Sequence, residues 1–180
     1  MKIGIFGGTF DPFTFAHFEI VNKAFDIVDS VIIVPTTISY YRDGKTPLFT
    51  FEQRVNIISA FINKFWKDKP VSYSTLEKDR NSFWRTADTI RELKKLYPAD
   101  ELYFILGSDS FNEIETWSEF EYLKENLKFI VVDGRNGFPT TNSIPHETIM
   151  IEKTTLSASL VRENLIDSIM RFYIEGIYLK

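Results

Sequence analysis

Residues 1–17 read MKIGIFGGTFDPFTFAH, and this stretch decides the fold. Ile3, Ile5 and Phe6 make a short apolar strand that runs into Gly7, Gly8 and Thr9, and Asp11 with Pro12 then opens a turn. Thr14 lies three positions before His17, and residues Phe18–Val28 carry the apolar spacing of a helix. A strand, a glycine pair and a helix start bearing a hydroxyl and an imidazole together suit phosphate. Glycines let backbone N–H groups approach an anion, and a helix N-terminus adds the positive end of its dipole. The Thr14-x-x-His17 spacing puts both side chains on one face of the first turn, aimed at the same phosphoryl group. A lone histidine is more often a buried residue satisfied by a backbone carbonyl; its place after the glycine pair favours the phosphate.

The alternation continues outward from there. Apolar runs at Lys2–Phe6, Ser30–Pro35, Val71–Thr75, Leu102–Leu106, Lys128–Val132 and Thr148–Ile151 are separated by helical patterns at Phe18–Val28, Phe51–Phe65, Arg85–Tyr97, Ser118–Glu125 and Ser157–Ile169. Strands rich in Val, Ile and Phe that alternate with helices predict an α/β fold, a doubly wound parallel sheet covered on both faces. Residues 1–180 make one domain of ordinary size. In such sheets a ligand sits beyond the strand C-termini where the strand order switches. The positions to inspect are therefore Gly7-Gly8, Pro35-Thr36, Gly107-Ser108-Asp109 and Asp133-Gly134-Arg135. The long irregular stretch from Asp133 to Glu147 reads as a mobile loop near the site.

Composition narrows the class. A 44% hydrophobic, 26% charged chain is globular. No apolar run approaches the ~20 residues that span a bilayer, and no signal-peptide pattern opens the chain, so a cytoplasmic protein without a membrane partner is expected. The net charge of −4 argues against a nucleic-acid partner. With no cysteine and two histidines, a thiolate or histidine-rich metal site is excluded. The oligomeric state stays open, a homo-oligomer included. His146, between Pro145 and Glu147, has no functional context and reads as a surface residue.

A second anion motif lies near the end. Ser157 and Ser159 stand where a helix N-cap and first turn belong, and their hydroxyls with the first-turn N–H groups suit a triphosphate. Arg162 follows three residues after Ser159 on the same face, so its guanidinium reaches the same anion. Read as structure alone, Ser157 is a cap and Arg162 a solvated residue.

Two strings carry a resemblance. Residues 7–17, GGTFDPFTFAH, resemble the GGTFDPxHxGH signature of the nucleotidyltransferase superfamily, which transfers AMP or CMP from a nucleoside triphosphate. Residues 156–162, LSASLVR, resemble its second signature, ISSTxxR or ISSSxxR, in the expected order. The stretches TADTIRELKKLYP (86–98), ELYFILGSD (101–109), FIVVDGR (129–135) and FYIEGIY (172–178), with Trp117, look like the bacterial nicotinate-nucleotide adenylyltransferase branch. Departures are visible: Thr14 and Ala16 replace the first histidine and the glycine of HxGH, Trp84-Arg85-Thr86 replaces S-Y-T, and Ser108 replaces the alanine of G-A-D. Tyr40-Tyr41-Arg42 stands where the branch has P-H-K.

The resemblance implies a Rossmann-like nucleotidyltransferase fold and transfer of AMP from ATP to nicotinate mononucleotide, with Mg²⁺ held mainly by phosphates and water. It places His17, with Thr14 beside it, on the α-phosphate as a cationic or N–H donor. Gly8, Thr9 and Phe10 would bind the triphosphate through their backbone, together with Ser157, Ser159 and Arg162. Gly107 and Asp109 would line the nucleotide side, Asp109 accepting from a ribose. Thr86 would offer backbone groups to the nicotinate carboxylate and Trp117 would stack on the pyridine. Arg42, Lys45 and Arg135 would bind the acceptor, Arg42 or Lys45 bridging the two substrates' phosphates. Each also has a plainer reading: Trp117 as a core residue, Asp109 as the cap of a Ser110–Ile114 helix, Thr86 as the N-cap of Ala87–Leu96. Two alternatives stand beside the first reading: the same chemistry on phosphopantetheine, and a nucleotide-binding homologue that has lost catalysis. Whether the pyridine carries a carboxylate or an amide is not legible in these residues.

Overall fold

A computed structural model describes residues 1–37, 47–78, 85–133, 139–151 and 163–164. In chain order the elements are β1 (Lys2–Gly8), α1 (Phe15–Ala24), β2 (Ser30–Pro35), α2 (Phe51–Phe65), β3 (Val71–Tyr73), α3 (Thr86–Leu96), β4 (Glu101–Gly107), α4 (Ser108–Asn112), a 3₁₀ turn (Ile114–Thr116), α5 (Phe120–Asn126), β5 (Lys128–Asp133) and β6 (Glu147–Met150). The six strands form one sheet in the order β3-β2-β1-β4-β5-β6, every neighbouring pair parallel. This is the doubly wound α/β architecture that the alternation predicts.

Strand periodicity sends alternate residues to opposite faces, so a sheet covered on both sides needs near-continuous apolar strands. Ile5, Ile32, Val34, Phe104 and Val131 face one layer, where Ala87, Ile90 and Leu93 of α3 and Leu123 of α5 cover them. Phe6, Val31, Ile33, Ile105 and Ile130 face the other, against Ile20, Val21 and Ala24 of α1 and Ile58 of α2. Each aliphatic side chain buried this way contributes about 1.5–3 kcal/mol.

Several boundaries differ from the sequence expectation, each for a local reason. Helix α1 begins at Phe15 rather than Phe18, because extended Thr14 (φ −126°, ψ 172°) is the N-cap. It ends at Ala24 rather than Val28, where Ile27 and Val28 both donate to the Ala24 carbonyl and the chain unwinds. Strand β3 stops at Tyr73, short of Thr75, once Ser74 N–H has reached Ile33 O at 2.9 Å. Helix α5 starts at Phe120, not Ser118, because Glu119 has left-handed backbone (φ 59°). The expected Ser157–Ile169 helix lies outside the described residues except for Glu163 and Asn164, which are helical.

The stretch expected to be a mobile loop is held down where it is described. Asn112 donates to Pro139 O at 3.1 Å and accepts from Thr141 N at 2.8 Å and Asn142 N at 3.3 Å. His146 is half-buried rather than a surface residue: its ring lies 4.8 Å from that of Phe111, and Nδ1 donates to Ile144 O at 2.7 Å.

Candidate active site

Strands β1 and β4 are neighbours, yet β1 leads to β2 on one side while β4 leads to β5 on the other. That reversal of strand order is the topological switch point. Phe6 and Ile105 are the last residues paired between β1 and β4, and each strand runs two residues further, to Gly8 and to Gly107.

The loop after β1 is shaped by contacts from distant residues. Gly8 O accepts from Thr36 N at 2.9 Å, and Thr9 O accepts from Nη1 of Arg54 at 2.5 Å. In a trans peptide the C=O and the following N–H point in opposite directions. The N–H groups of Thr9 and Phe10 are therefore turned away from β2 and Arg54. Phe10 has left-handed backbone (φ 49°), uncommon for a bulky residue. Its ring folds back so that a Cβ on Gly8 would meet Phe10 Cε1 and Cζ at 3.1 Å, which explains the glycine. The Asp11–Pro12 peptide is cis. Asp11 is buried, and its two carboxylate oxygens accept from Leu48 N and Phe49 N at 2.9 Å each.

Sequence reading missed Arg54. It is 1% exposed, and besides Thr9 O its guanidinium donates to Thr36 O at 2.9 Å and Phe49 O at 3.3 Å. One buried cation thus joins the glycine loop, the end of β2 and the start of α2. Nothing in the pattern distinguishes it from a solvated helix arginine; only the folded carbonyls do. The Thr36 hydroxyl, beside the same loop, is buried and has no hydrogen-bond partner among the described residues.

Thr14 and His17 come together as the spacing predicts, and both are buried. Thr14 is the N-cap and His17 the third helical residue. The Thr14 backbone N–H donates to His17 Nδ1 at 3.0 Å, and the Thr14 hydroxyl lies 3.0 Å from the same nitrogen. A lone pair on Nδ1 is required for that bond, so the ring offers its hydrogen through Nε2. Phe10 meets the imidazole at right angles 5.2 Å away, with Phe13 at 5.2 Å and Phe6 at 6.0 Å. Three phenylalanines fix the ring's plane and leave it little freedom.

On the β4 side, Gly107 is the N-cap of α4 and Asp109 an exposed residue in its first turn. The expected Ser110–Ile114 helix capped by Asp109 is thus replaced by one that begins at Ser108. A Cβ on Gly107 would lie 2.6 Å from Asp109 Oδ1, so the glycine is what lets that carboxylate turn back toward the strand end. Thr86 is the first residue of α3, with Arg85 rather than Thr86 as the N-cap. Trp117 is half-buried and meets Phe104 edge-on at 6.0 Å. Phe104 also borders Gly7, whose Cβ would lie 3.4 Å from Phe104 Cζ, so Trp117 stands one ring away from the glycine loop. Arg85 donates to Ser118 Oγ, which ties the start of α3 to the segment carrying Trp117.

Arg42, Lys45, Arg135, Ser157, Ser159 and Arg162 lie outside the described residues. Among the described residues, Gly8, Thr9, Phe10, Thr14 and His17 follow one another from the end of β1 into α1, and Gly107 and Asp109 stand at the end of β4 and the start of α4.

The family model for cytidylyltransferase-like proteins matches residues 5–164. A protein named "Probable nicotinate-nucleotide adenylyltransferase" from Thermus thermophilus is 31% identical over 92% of this chain and 87% of its own. Its namesake from Aliarcobacter butzleri is 32% identical over 92% and 88%. Among solved structures, Plasmodium falciparum nicotinic acid mononucleotide adenylyltransferase complexed with APC has a TM-score of 0.73 and 30% identity, covering 90% of this chain and 82% of that one. The same enzyme complexed with NaAD gives a TM-score of 0.74 at 29% identity over equal shares. A match over most of the chain, on a parallel sheet with a glycine loop and capped histidine at its switch point, makes this chain a member of the cytidylyltransferase-like family.

Proposed function

We propose that the chain transfers the adenylyl group of ATP to nicotinate mononucleotide, a step of NAD biosynthesis. An oxygen of the acceptor's phosphate attacks the α-phosphorus of ATP in line. The bond from that phosphorus to the bridging oxygen breaks, and pyrophosphate leaves with the electron pair. No protein nucleophile is needed, so catalysis is positioning plus stabilisation of charge on phosphate oxygens.

The observation that carries this reading is the Thr14–His17 pair at the end of β1, its Nδ1 held by the Thr14 N–H at 3.0 Å. We assign the Nε2–H of His17 to the α-phosphate, with the Thr14 hydroxyl beside it and the N–H groups of Gly8, Thr9 and Phe10 on the triphosphate. Ser157, Ser159 and Arg162 take the β- and γ-phosphates, and Arg42 or Lys45 bridges to the acceptor, with Arg135 on the acceptor side. Gly107 and Asp109 receive the nucleotide. The first N–H of a helix has no intrahelical acceptor, so the Thr86 N–H is suited to the nicotinate carboxylate, with Trp117 against the ring.

Mg²⁺ would enter with ATP. The groups around the glycine loop are N–H donors and hydroxyls, and the oxygens of buried Asp11 are engaged by Leu48 and Phe49. These residues fit phosphate, and the metal's ligands would come from phosphate oxygens and water, its charge offsetting the triphosphate's. An ATP-dependent step of this kind belongs in the cytoplasm; no helix among the described residues is long and apolar enough to cross a membrane.

Pyrophosphate release from Mg-ATP, measured with nicotinate mononucleotide, nicotinamide mononucleotide and phosphopantetheine in turn, tests the reading. Release is expected with nicotinate mononucleotide at the highest kcat/KM. Release with phosphopantetheine alone, or ATP binding with no release, overturns it.

A further inference from the structure

Left-handed backbone at Phe10 (φ 49°) is strained for a bulky residue, and its two neighbours in the chain are both held from outside the loop. Before it, the Thr9 carbonyl accepts from Arg54 Nη1 at 2.5 Å. After it, the Asp11 carboxylate accepts from Leu48 N and Phe49 N at 2.9 Å each. These donors all come from one stretch, 48–54, that leads into α2. That stretch is itself firm. Thr50 and Gln53 close a reciprocal capping box, with Gln53 N 3.2 Å from Thr50 Oγ1 and Thr50 N 2.9 Å from Gln53 Oε1. Ile58, one turn after Arg54, is fully buried in the core. The guanidinium lies over the Phe51 ring at 5.5 Å, and the same Nη1 reaches Thr36 O at 2.9 Å.

Of these bonds, the one from Arg54 bears on the direction of a loop N–H. It fixes the Thr9 carbonyl, and the planar trans peptide then fixes the Phe10 N–H on the opposite side. Turning that peptide over would put a carbonyl where the N–H now points and set an acceptor against phosphate oxygens. We propose that Arg54 is a positioning residue of the triphosphate site: through the loop backbone it keeps the Thr9–Phe10 peptide with its N–H, and not its C=O, toward the anion. This rests on the reaction proposed above. The planar fork matters, because Nη1 takes Thr9 O and Thr36 O while Nε takes Phe49 O at 3.3 Å. A lysine ammonium keeps the charge and loses that fork.

The test compares Arg54→Lys, Arg54→Met and Ile58→Ala with the parent chain in steady-state pyrophosphate release, Mg-ATP and nicotinate mononucleotide being varied in turn. Ile58→Ala is the structural control: it empties a core site on the same helix and lowers stability without touching the loop. A smaller folded fraction scales kcat and leaves KM in place, whereas a loosened peptide weakens the hold on triphosphate. Arg54→Met is expected to raise KM for ATP about tenfold and Arg54→Lys at least about threefold, both with acceptor KM within about twofold of the parent. Ile58→Ala should keep both KM values near the parent. An unchanged KM for ATP in the folded Arg54 variants, an equal rise for both substrates, or a rise of the same size in Ile58→Ala overturns the proposal. If Arg54→Met does not fold, Arg54→Lys decides. A parent chain that releases no pyrophosphate sinks the reaction instead; equilibrium titration with inorganic triphosphate then reads Arg54 by itself, and binding to the parent no tighter than to Arg54→Lys overturns the positioning.

Discussion

Replacing His17 separates the capping contact it makes from the donation to phosphate proposed for it. In His17→Ala the Thr14 N–H loses the Nδ1 acceptor that stands 3.0 Å away. That loss costs about 1 kcal/mol. The imidazole is 6% exposed and touches Phe10 and Phe13, each 5.2 Å away, so its removal also forfeits packing. Together these bring the stability cost to about 2–4 kcal/mol, within what a domain of this size withstands. Loss of one transition-state donor lowers kcat by about 10²–10³. His17→Glu recreates the Thr-x-x-Glu capping box at Thr14 but has no hydrogen to give. Its cap returns and its rate does not. The assay is pyrophosphate release at saturating ATP and acceptor, with urea midpoints to correct for folded fraction. A corrected kcat for His17→Ala within about fivefold of the parent refutes the reasoning. So does a glutamate variant that regains rate along with stability, since His17 would then be a cap and nothing more.

Arg54→Met keeps the aliphatic stem but leaves the carbonyls of Thr9, Thr36 and Phe49 without their donor. Urea denaturation should show a loss of about 3–5 kcal/mol, and a loss below about 1 kcal/mol would mean water replaces the guanidinium freely. Gly107→Ala puts a methyl where the Asp109 carboxylate now lies, 2.6 Å from Oδ1. The carboxylate swings aside at little cost in melting temperature, while KM for ATP rises about tenfold; an unchanged KM would remove Asp109 from the nucleotide site. The pH dependence of stability carries a signature of Glu77, whose folded carboxyl titrates above its unfolded value because of burial. The folded state then holds the extra proton between those two values, so this group's contribution is greatest below the unfolded value and falls as pH rises through the folded one. Glu77→Gln lacks that slope and should gain on the parent in urea midpoint as pH rises from the unfolded glutamate value through the higher folded one; a constant difference refutes the assignment.

The sheet was legible because its strands must be apolar on both faces, as Ser30–Pro35 and Lys128–Asp133 show in their burial. The Thr14–His17 pairing was legible because a three-residue spacing has one geometric consequence at a helix start. Boundaries were less so where a single residue departs from helix geometry. Left-handed Glu119 holds Ser118 out of α5, and Gly107 takes the cap that Asp109 was expected to fill. Helix α4 has five residues, too few to show a period. Arg54 and Glu77 escaped altogether. Charged residues in a helix and in a connection look solvated until the carbonyls of Thr9 and Thr36, or the hydroxyl of Thr89, are brought to them by the fold.

The anchoring of the glycine loop has a consequence for how this protein would acquire the affinity for nucleotides proposed above. Thr9 O is held by Arg54, and the Asp11 carboxylate by Leu48 and Phe49, so the loop's shape depends on partners some forty positions downstream. The proposed anion receptor then depends on long-range contacts: a synthetic peptide ending at Ala24 would contain all of residues 7–17 and is expected to ignore phosphate, whereas the chain through Phe65 holds Thr36, Leu48, Phe49 and Arg54, which shape the loop.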